Sequence, residues 1–185
     1  GALAVVDPAL GAEPLLDELL PQAERAVAIL VTHAHFDHVG ALAEFRDSLA
    51  APVLMHANET GFLREVGEQA QWFGVGPVRA PGAPDRLLSQ DDTVGVGGEQ
   101  LKVLETPGHS PGGLSFYSES GGFVIVGDAL FASSIGRTDL PGSDHRQLLA
   151  SIRTQLLTLP DSTVVYPGHG PATTIGEEKA HNPYL

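Results

Sequence analysis

Val27 to Val31 is an apolar run of strand length that ends, without a spacer, on Thr32-His33-Ala34-His35-Phe36-Asp37-His38-Val39-Gly40. Three imidazoles and one carboxylate thus fall within six residues. This crowding constrains the fold. A strand has to deliver the cluster at its carboxyl end, and an irregular loop has to aim it before the next helix begins. Neutral imidazole and ionised carboxylate suit zinc, iron or manganese, and the two-residue step from His33 to His35 lets both rings face one ion. Asp37 and His38 can then face a second ion beside the first. The alternative is a polar surface tract of the kind a tag makes. Against it, the cluster is single, is mixed with Asp, and is wedged between a strand and a helix.

The segments on either side repeat the same order. Leu3 to Val6 reads as a short buried strand closed by Asp7-Pro8, and Ala12 to Leu20 as a helix with Leu15, Leu16, Leu19 and Leu20 on one face, stopped by Pro21. Leu42, Phe45 and Leu49 mark the helix after the cluster. Val53 to Met55 is a further strand ending at His56, and a helix is expected over Glu59 to Val66. Strand, helix, strand, helix implies parallel strands with helical crossovers. From Gly67 to Arg86 the glycines and prolines predict a long loop, in which Trp72 and Phe73 are expected to pack on the core, with an apolar flap over a site as the alternative.

The texture then changes to short strands at Thr93 to Val96, Leu101 to Thr106, Leu114 to Tyr117 and Phe123 to Val126, separated by turns and expected to be antiparallel. Gly95, Gly97 and Gly98 read as a hairpin rather than a phosphate-cradling loop, because no helix follows them. A helix from His145 to Leu157 begins with Asp144 and Gln147 in capping positions. Thr163 to Tyr166 is a strand, and a last helix follows Thr174 with Glu177 three residues on.

Three more ligand-type residues each top a strand: His109 in Thr106-Pro107-Gly108-His109-Ser110-Pro111-Gly112, Asp128 after Val126-Gly127, and His169 in Tyr166-Pro167-Gly168-His169-Gly170-Pro171. Singly, each reads as an exposed loop residue or a turn cap. Together with the first cluster they read as one metal site. His56, His145 and His181 read as structural. Arg137 and Asp139 allow two readings: a salt bridge fixing the loop after Asp128, or a contact from Arg137 to a substrate carboxylate.

A length of 185 residues fits one domain over 1–185, and the absence of Cys excludes thiolate ligands, a Cys nucleophile and a disulfide framework. A net charge of −13, with ten scattered basic residues, argues against nucleic acid as a partner, since that affinity comes from Lys and Arg displacing counterions. No apolar run is long enough to span a bilayer, so a cytoplasmic protein without a membrane partner is expected. Gly1 rather than Met marks a processed, trimmed or incompletely represented start, and a leader segment is left open.

In the order and approximate spacing of His33-x-His35-x-Asp37-His38, His109, Asp128 and His169, the chain resembles the metallo-β-lactamase superfamily over essentially its whole length. Within it the chain is similar to the short form of the glyoxalase II group, through Gly127-Asp128-Ala129-Leu130-Phe131, Gly136-Arg137-Thr138-Asp139, Tyr166-Pro167-Gly168-His169-Gly170-Pro171 and the ending from Glu177-Glu178 to Asn182-Pro183. The resemblance implies an α/β fold, a four-layered α/β/β/α sandwich with metals at one edge, here without the first amino-terminal strands that the family usually places before Leu3 to Val6. It implies two divalent ions, zinc or iron with manganese also suited. His33, His35 and His109 would hold one, Asp37, His38 and His169 the other, and Asp128 would bridge them. The implied reaction is hydrolysis of a small hydroxyacyl thioester by hydroxide that the ions generate near neutral pH, oriented by Asp37, with no Ser or Cys nucleophile. The long form's carboxyl-terminal helical domain, which grips glutathione, has no counterpart before Leu185.

The strongest competitor of the same fold is the persulfide dioxygenase group, which uses one iron held as by His33, His109 and Asp128 and shares the Gly-Arg-Thr-Asp motif. Gly168-His169-Gly170-Pro171 favours the hydrolase, because that group tends to have Ala before the His and Asp-Tyr after it. A class B β-lactamase is disfavoured by Asp128, where most of those enzymes use Cys, and a ribonuclease by the acidic charge.

Overall fold

The computed structural model describes residues 1–22 and 25–185. They group into two compact units, Gly1–Leu88 and Ser89–Leu185.

The first unit is a four-stranded sheet in the order β1 (Ala2–Val6), β2 (Arg25–Leu30), β3 (Val53–His56), β4 (Arg86–Leu88), with every neighbouring pair parallel. The parallel expectation for this half is met. Between the strands lie α1 (Leu15–Leu19), α2 (Phe36–Val39), α3 (Leu42–Leu49), α4 (Thr60–Arg64) and α5 (Val66–Trp72). Leu42 and Phe45 of α3 pack with Ile29, Val31, Val53, Met55, Leu63 and Val66 into one buried cluster. Parallel pairing puts the carboxyl ends of β1 and β2 at one edge of the sheet. Asp7, directly after β1, and Thr32-His33, just beyond β2, are neighbours there, and the Asp7 amide donates to the Leu30 carbonyl at 3.0 Å.

Two expectations need correction here. The helix expected over Glu59 to Val66 is a 3-10 turn at Ala57–Glu59, then α4, with a break at Glu65, and α5 occupies Val66–Trp72, where a loop was expected. The glycines misled. Gly67 lies inside α5, and a Cβ there would stand 3.3 Å from the Val78 carbonyl oxygen, so a close approach rather than a turn accounts for the glycine. Gly74 ends the helix in the left-handed region at φ +71. The Trp72 and Phe73 side chains are also not packed on the core: they are 73% and 53% exposed.

The second unit is a six-stranded sheet in the order β12, β11, β8, β7, β6, β5, comprising β5 (Thr93–Val96), β6 (Glu99–Glu105), β7 (Leu114–Ser118), β8 (Phe123–Gly127), β11 (Val164–Pro167) and β12 (Thr173–Thr174). A small separate ladder joins β9 (Leu130–Phe131) to β10 (Ser134–Ile135). The sheet is antiparallel apart from β8 and β11, which run parallel. That exception follows from the long crossover between them, which carries α6 (His145–Ser151) and a π-helical turn at Ile152–Leu156. Gly97-Gly98 forms the tight connection of the β5–β6 hairpin, Val96 facing Glu99, as expected. Asp144 caps α6 by accepting from the Gln147 amide at 3.0 Å, and Thr174 caps α7 (Ile175–His181) by accepting from Glu177 at 3.2 Å. Leu148, Ile152, Leu156 and Ile175 lay this unit's helices on Val124, Val126 and Val165 of the sheet. No helix among the described residues is long and apolar enough to cross a membrane.

Candidate metal centre

In the first unit, β2 stops at Leu30 and α2 starts at Phe36, so the intervening loop presents His33 and His35 while α2 itself carries Asp37 and His38. The three imidazoles are buried. His33 lies 4.7 Å from His35 and 4.1 Å from His38 between ring centroids.

Asp7 organises this loop. Its Oδ1 accepts from the Thr32 amide at 2.7 Å, and its Oδ2 accepts from the Thr32 hydroxyl at 2.5 Å and stands 2.9 Å from His38 Nδ1. Having given its proton to Asp7, the Thr32 hydroxyl can only accept from His33 Nδ1, 3.0 Å away. Both rings therefore carry their proton on Nδ1 and turn the Nε2 lone pair away from Asp7. That is the arrangement in which a partner behind the ring fixes the tautomer of a metal-binding histidine. Asp7, His33 and His38 also offer ligand atoms within 4.8 Å of one another. With its oxygens turned to Thr32 and His38, Asp7 is better read as the orienting group than as a ligand.

Two buried residues hold the loop's backbone from the other side. Glu59 accepts from the Ala34 amide at 2.8 Å, and Gln69 Nε2 donates to the Ala34 carbonyl at 3.2 Å.

In the second unit the ligand-type residues follow β6, β8 and β11. Asp128 Oδ2 stands 3.6 Å from His109 Nε2 and 3.6 Å from His169 Nε2. These separations exceed hydrogen-bonding distance and approach about 3.3 Å, the edge of a tetrahedron with metal bonds near 2.0 Å. His109 Nδ1 is 2.8 Å from the Arg137 carbonyl oxygen, an acceptor only, so the proton sits on Nδ1 and Nε2 faces Asp128. Glycine is required at two points around it. A Cβ on Gly136 would run into the Asp128 carbonyl oxygen, and one on Gly108 (φ +133) into the backbone of Leu148. Asp128 and His109 are buried, whereas the His169 side chain is 56% exposed.

The donor set fits a divalent ion in both units. Imidazole and carboxylate are supplied without any thiolate, and the rings whose tautomers can be assigned offer Nε2.

The profile of the metallo-beta-lactamase superfamily matches residues 1–169. The chain belongs to that superfamily. Among curated relatives it is 44% identical over 159 residues to a probable metallo-hydrolase, YqgX, of Bacillus subtilis, covering 86% of this chain and 75% of that protein. It is 38% identical over 184 residues to the hydroxyacylglutathione hydrolase GloC of Haemophilus influenzae, covering 98% and 86%. Among solved structures it is similar to the BLEG-1 B3 metallo-beta-lactamase (TM-score 0.91, 42% identity, 100% of this chain and 88% of that one). TTHA1623 in a di-iron-bound form follows (0.89, 42%, 97% and 88%), and ETHE1 from Myxococcus xanthus is more distant (0.78, 30%, 98% and 73%). The fold is thus of the metallo-beta-lactamase type, as the sequence led us to expect. The chain is therefore an enzyme of the metallo-hydrolase superfamily, with His and Asp side chains in each unit that could hold a metal ion.

The remaining candidates are structural in their described contacts. Arg137 forks on Asp139, Nε to Oδ1 at 2.7 Å and Nη2 to Oδ2 at 2.8 Å. Hydrogen bonding between the two holds the Asp139 carboxyl below the usual carboxylate range and raises the guanidinium. His56 Nδ1 accepts from the Asn58 amide at 3.2 Å, His145 lies 3.3 Å from the Thr138 hydroxyl, and His181 lies 3.1 Å from Glu177.

Sequence reasoning passed over Asp7, Glu59, Gln69 and Glu178. Glu178 is buried and accepts from the Ser133 amide (2.9 Å), the Thr173 hydroxyl (2.6 Å) and the Asn182 amide (2.7 Å), which ties α7 to the loop after β9. Asp7 carried the signal that singled out Asp128, a carboxylate directly after an apolar strand, although β1 is only half-buried, and Pro8 made it look like a turn.

Proposed function

We propose that the chain is a metal-dependent thioesterase that hydrolyses a hydroxyacyl thiol ester of the glyoxalase II kind. In this reading His33, His35 and His109 would hold one divalent ion, Asp37, His38 and His169 would hold a second, and Asp128 would serve both. Zinc or iron would serve, and manganese also suits the donors. One observation carries the reading: a single Asp128 oxygen lies at the same 3.6 Å from His109 and His169, residues that this assignment gives to different ions. The mononuclear-iron dioxygenases of this fold keep the same seven positions, so the preference for the hydrolase over them rests on Gly168-His169-Gly170-Pro171. Support also comes from the likeness to GloC over nearly the whole chain.

Bound divalent ions supply Lewis acidity, which lowers the pKa of water and polarises a carbonyl. The chain does the rest. Asp7, directly and through Thr32, and the Arg137 carbonyl keep His38, His33 and His109 in the tautomer with the proton on Nδ1. Asp37, the most exposed of the acidic candidates, accepts a proton from the attacking water and aims its lone pair at the thioester carbon. Water oxygen bonds to carbon, the carbon–sulfur bond breaks, and the thiol leaves with a proton. The partner is a small acyl thiol rather than a nucleic acid, in keeping with the net charge of −13, and we place the reaction in the cytoplasm.

The test is to assay one metal-quantified preparation against hydroxyacylglutathione and other acyl thiols without oxygen, and against a glutathione persulfide in an oxygen electrode. Anaerobic thioester hydrolysis with about two ions per chain is expected. Oxygen uptake with one iron and negligible hydrolysis would move the chain to the dioxygenase reading.

A further inference from the structure

The thioesterase reading leaves an aromatic edge of the first unit unexplained. Helix α5 is tied to the ligand loop: Gln69 Nε2 donates to the Ala34 carbonyl at 3.2 Å and to the Phe62 carbonyl at 2.8 Å. Its end is locked by a Schellman motif, with Val75 N donating to Ala70 O at 2.9 Å, Gly74 N to Gln71 O at 3.0 Å, and Gly74 at φ +71. Trp72 and Phe73 therefore leave a fixed backbone, yet they are 73% and 53% exposed. Phe73 stacks on Phe36 with ring centroids 5.0 Å apart and planes at 29°. Phe36 opens α2, between His35 and Asp37.

A single exposed apolar side chain needs no explanation. Adjacent exposed Trp and Phe on a rigid helix end, the Phe stacked onto a residue flanked by two proposed metal ligands, do. Capping α5 requires only the glycine, so polar side chains at 72 and 73 would close the helix equally well. The segment from Gln69 to Val78 contains no charged residue, so the rings sit in a locally uncharged stretch of chain.

We infer that Phe36, Trp72 and Phe73 form an aromatic platform that receives an apolar arm of the substrate. This rests on the thioesterase reading and narrows it to thioesters carrying a ring or a short alkyl chain. The arm belongs either to the acyl group or to the thiol, and the experiment separates the two.

Trp72 is the chain's single tryptophan, so its emission reports on the platform alone. Metal-loaded protein is titrated with a non-hydrolysable benzyl thioether and with its methyl counterpart. A saturable blue shift with the benzyl compound, absent with the methyl one at the same concentration, is expected. In kinetics, one series lengthens the acyl group at constant thiol and a second lengthens the thiol arm at constant acyl. On the arm that meets the platform, kcat/KM should rise about two- to fourfold per methylene. Phe73→Ala should flatten that rise, and so should Trp72→Ala, which leaves the Phe36 stack in place. Two flat series, or a rise that survives both substitutions, would overturn the platform while leaving the thioesterase intact. Failure to hydrolyse any thioester would remove the parent reading, and this narrowing with it. Emission that shifts with protein concentration without ligand would assign the rings to contact between two copies and overturn the inference.

Discussion

Asp7→Asn tests the relay behind the metal ligands, because the substitution keeps the shape of the side chain and changes only which way its hydrogen bonds run. Asp7 sits at φ +48, a conformation that Asn adopts more readily than most residues, so the backbone is spared. The carboxylate accepts three protons on two oxygens, from the Thr32 amide, the Thr32 hydroxyl and His38 Nδ1. An amide has one accepting oxygen. If that oxygen stays on the Thr32 amide, the new NH2 faces the hydroxyl and His38. The hydroxyl must then turn its proton toward His33, and both rings must carry theirs on Nε2, the atom meant for the metal. If the amide flips, NH2 faces the buried Thr32 N–H, and that donor is stranded at about 1–3 kcal/mol. In the first case metal affinity should fall roughly 10- to 100-fold, about 1.4–2.7 kcal/mol; in the second the rings keep their tautomer and the cost falls on the metal-free fold. Competition between the metal-free protein and a chromophoric chelator for zinc measures this, with urea unfolding of the metal-free protein in parallel. A zinc affinity within about twofold of the parent, together with an unshifted urea midpoint of the metal-free protein, would refute the relay. So would a loss fully matched by destabilisation of the metal-free chain.

Glu178→Ala removes the acceptor for three donors in a buried position and should lower the unfolding free energy by about 2–4 kcal/mol in urea; a change below about 1 kcal/mol would contradict the role assigned to it. Gly136→Ala drives a methyl group into the Asp128 carbonyl and to 3.2 Å from His109 Cβ, so kcat/KM should drop roughly 10- to 100-fold with metal uptake weakened; unchanged kinetics would mean that the loop yields freely. Arg137→Ala breaks only an exposed ion pair and should leave the unfolding midpoint in place. If Arg137 also meets a substrate carboxylate, KM rises with kcat unchanged, and an unmoved KM across carboxylate-bearing substrates excludes that contact.

The sequence was most legible where one strand carried both the fold and the chemistry. Val27 to Val31 running straight into His33 told the strand, its burial and the ligand loop at once, because apolar period and ligand chemistry coincide there. The caps at Asp144 and Thr174 were legible for a similar reason: each acts within three residues of itself. What stayed hidden were long-range partners. Glu59 reaches Ala34 across 25 residues and Glu178 reaches Ser133 across 45, and a buried carboxylate looks like a surface one until its donors are in place. Gly67 misled because a helical glycine selected for close approach to Val78 and a loop glycine are the same letter. Trp72 and Phe73 misled in the opposite direction, since hydrophobicity predicts burial and has no means of indicating a ring kept in water.

The parallel pairing of β8 with β11 aligns Phe123 with Val164 and Gly127 with Pro167, so Asp128 and His169 emerge side by side whatever the chain does between them. Strand register sets their separation, and the length of the intervening crossover does not enter. Insertions in the crossover beyond Arg137, whose carbonyl meets His109, can thus accumulate over evolutionary time without changing that register. Pattern searches that demand a fixed gap between the acid and the last histidine would overlook chains that share this pocket, whereas matching the two strand endings would find them.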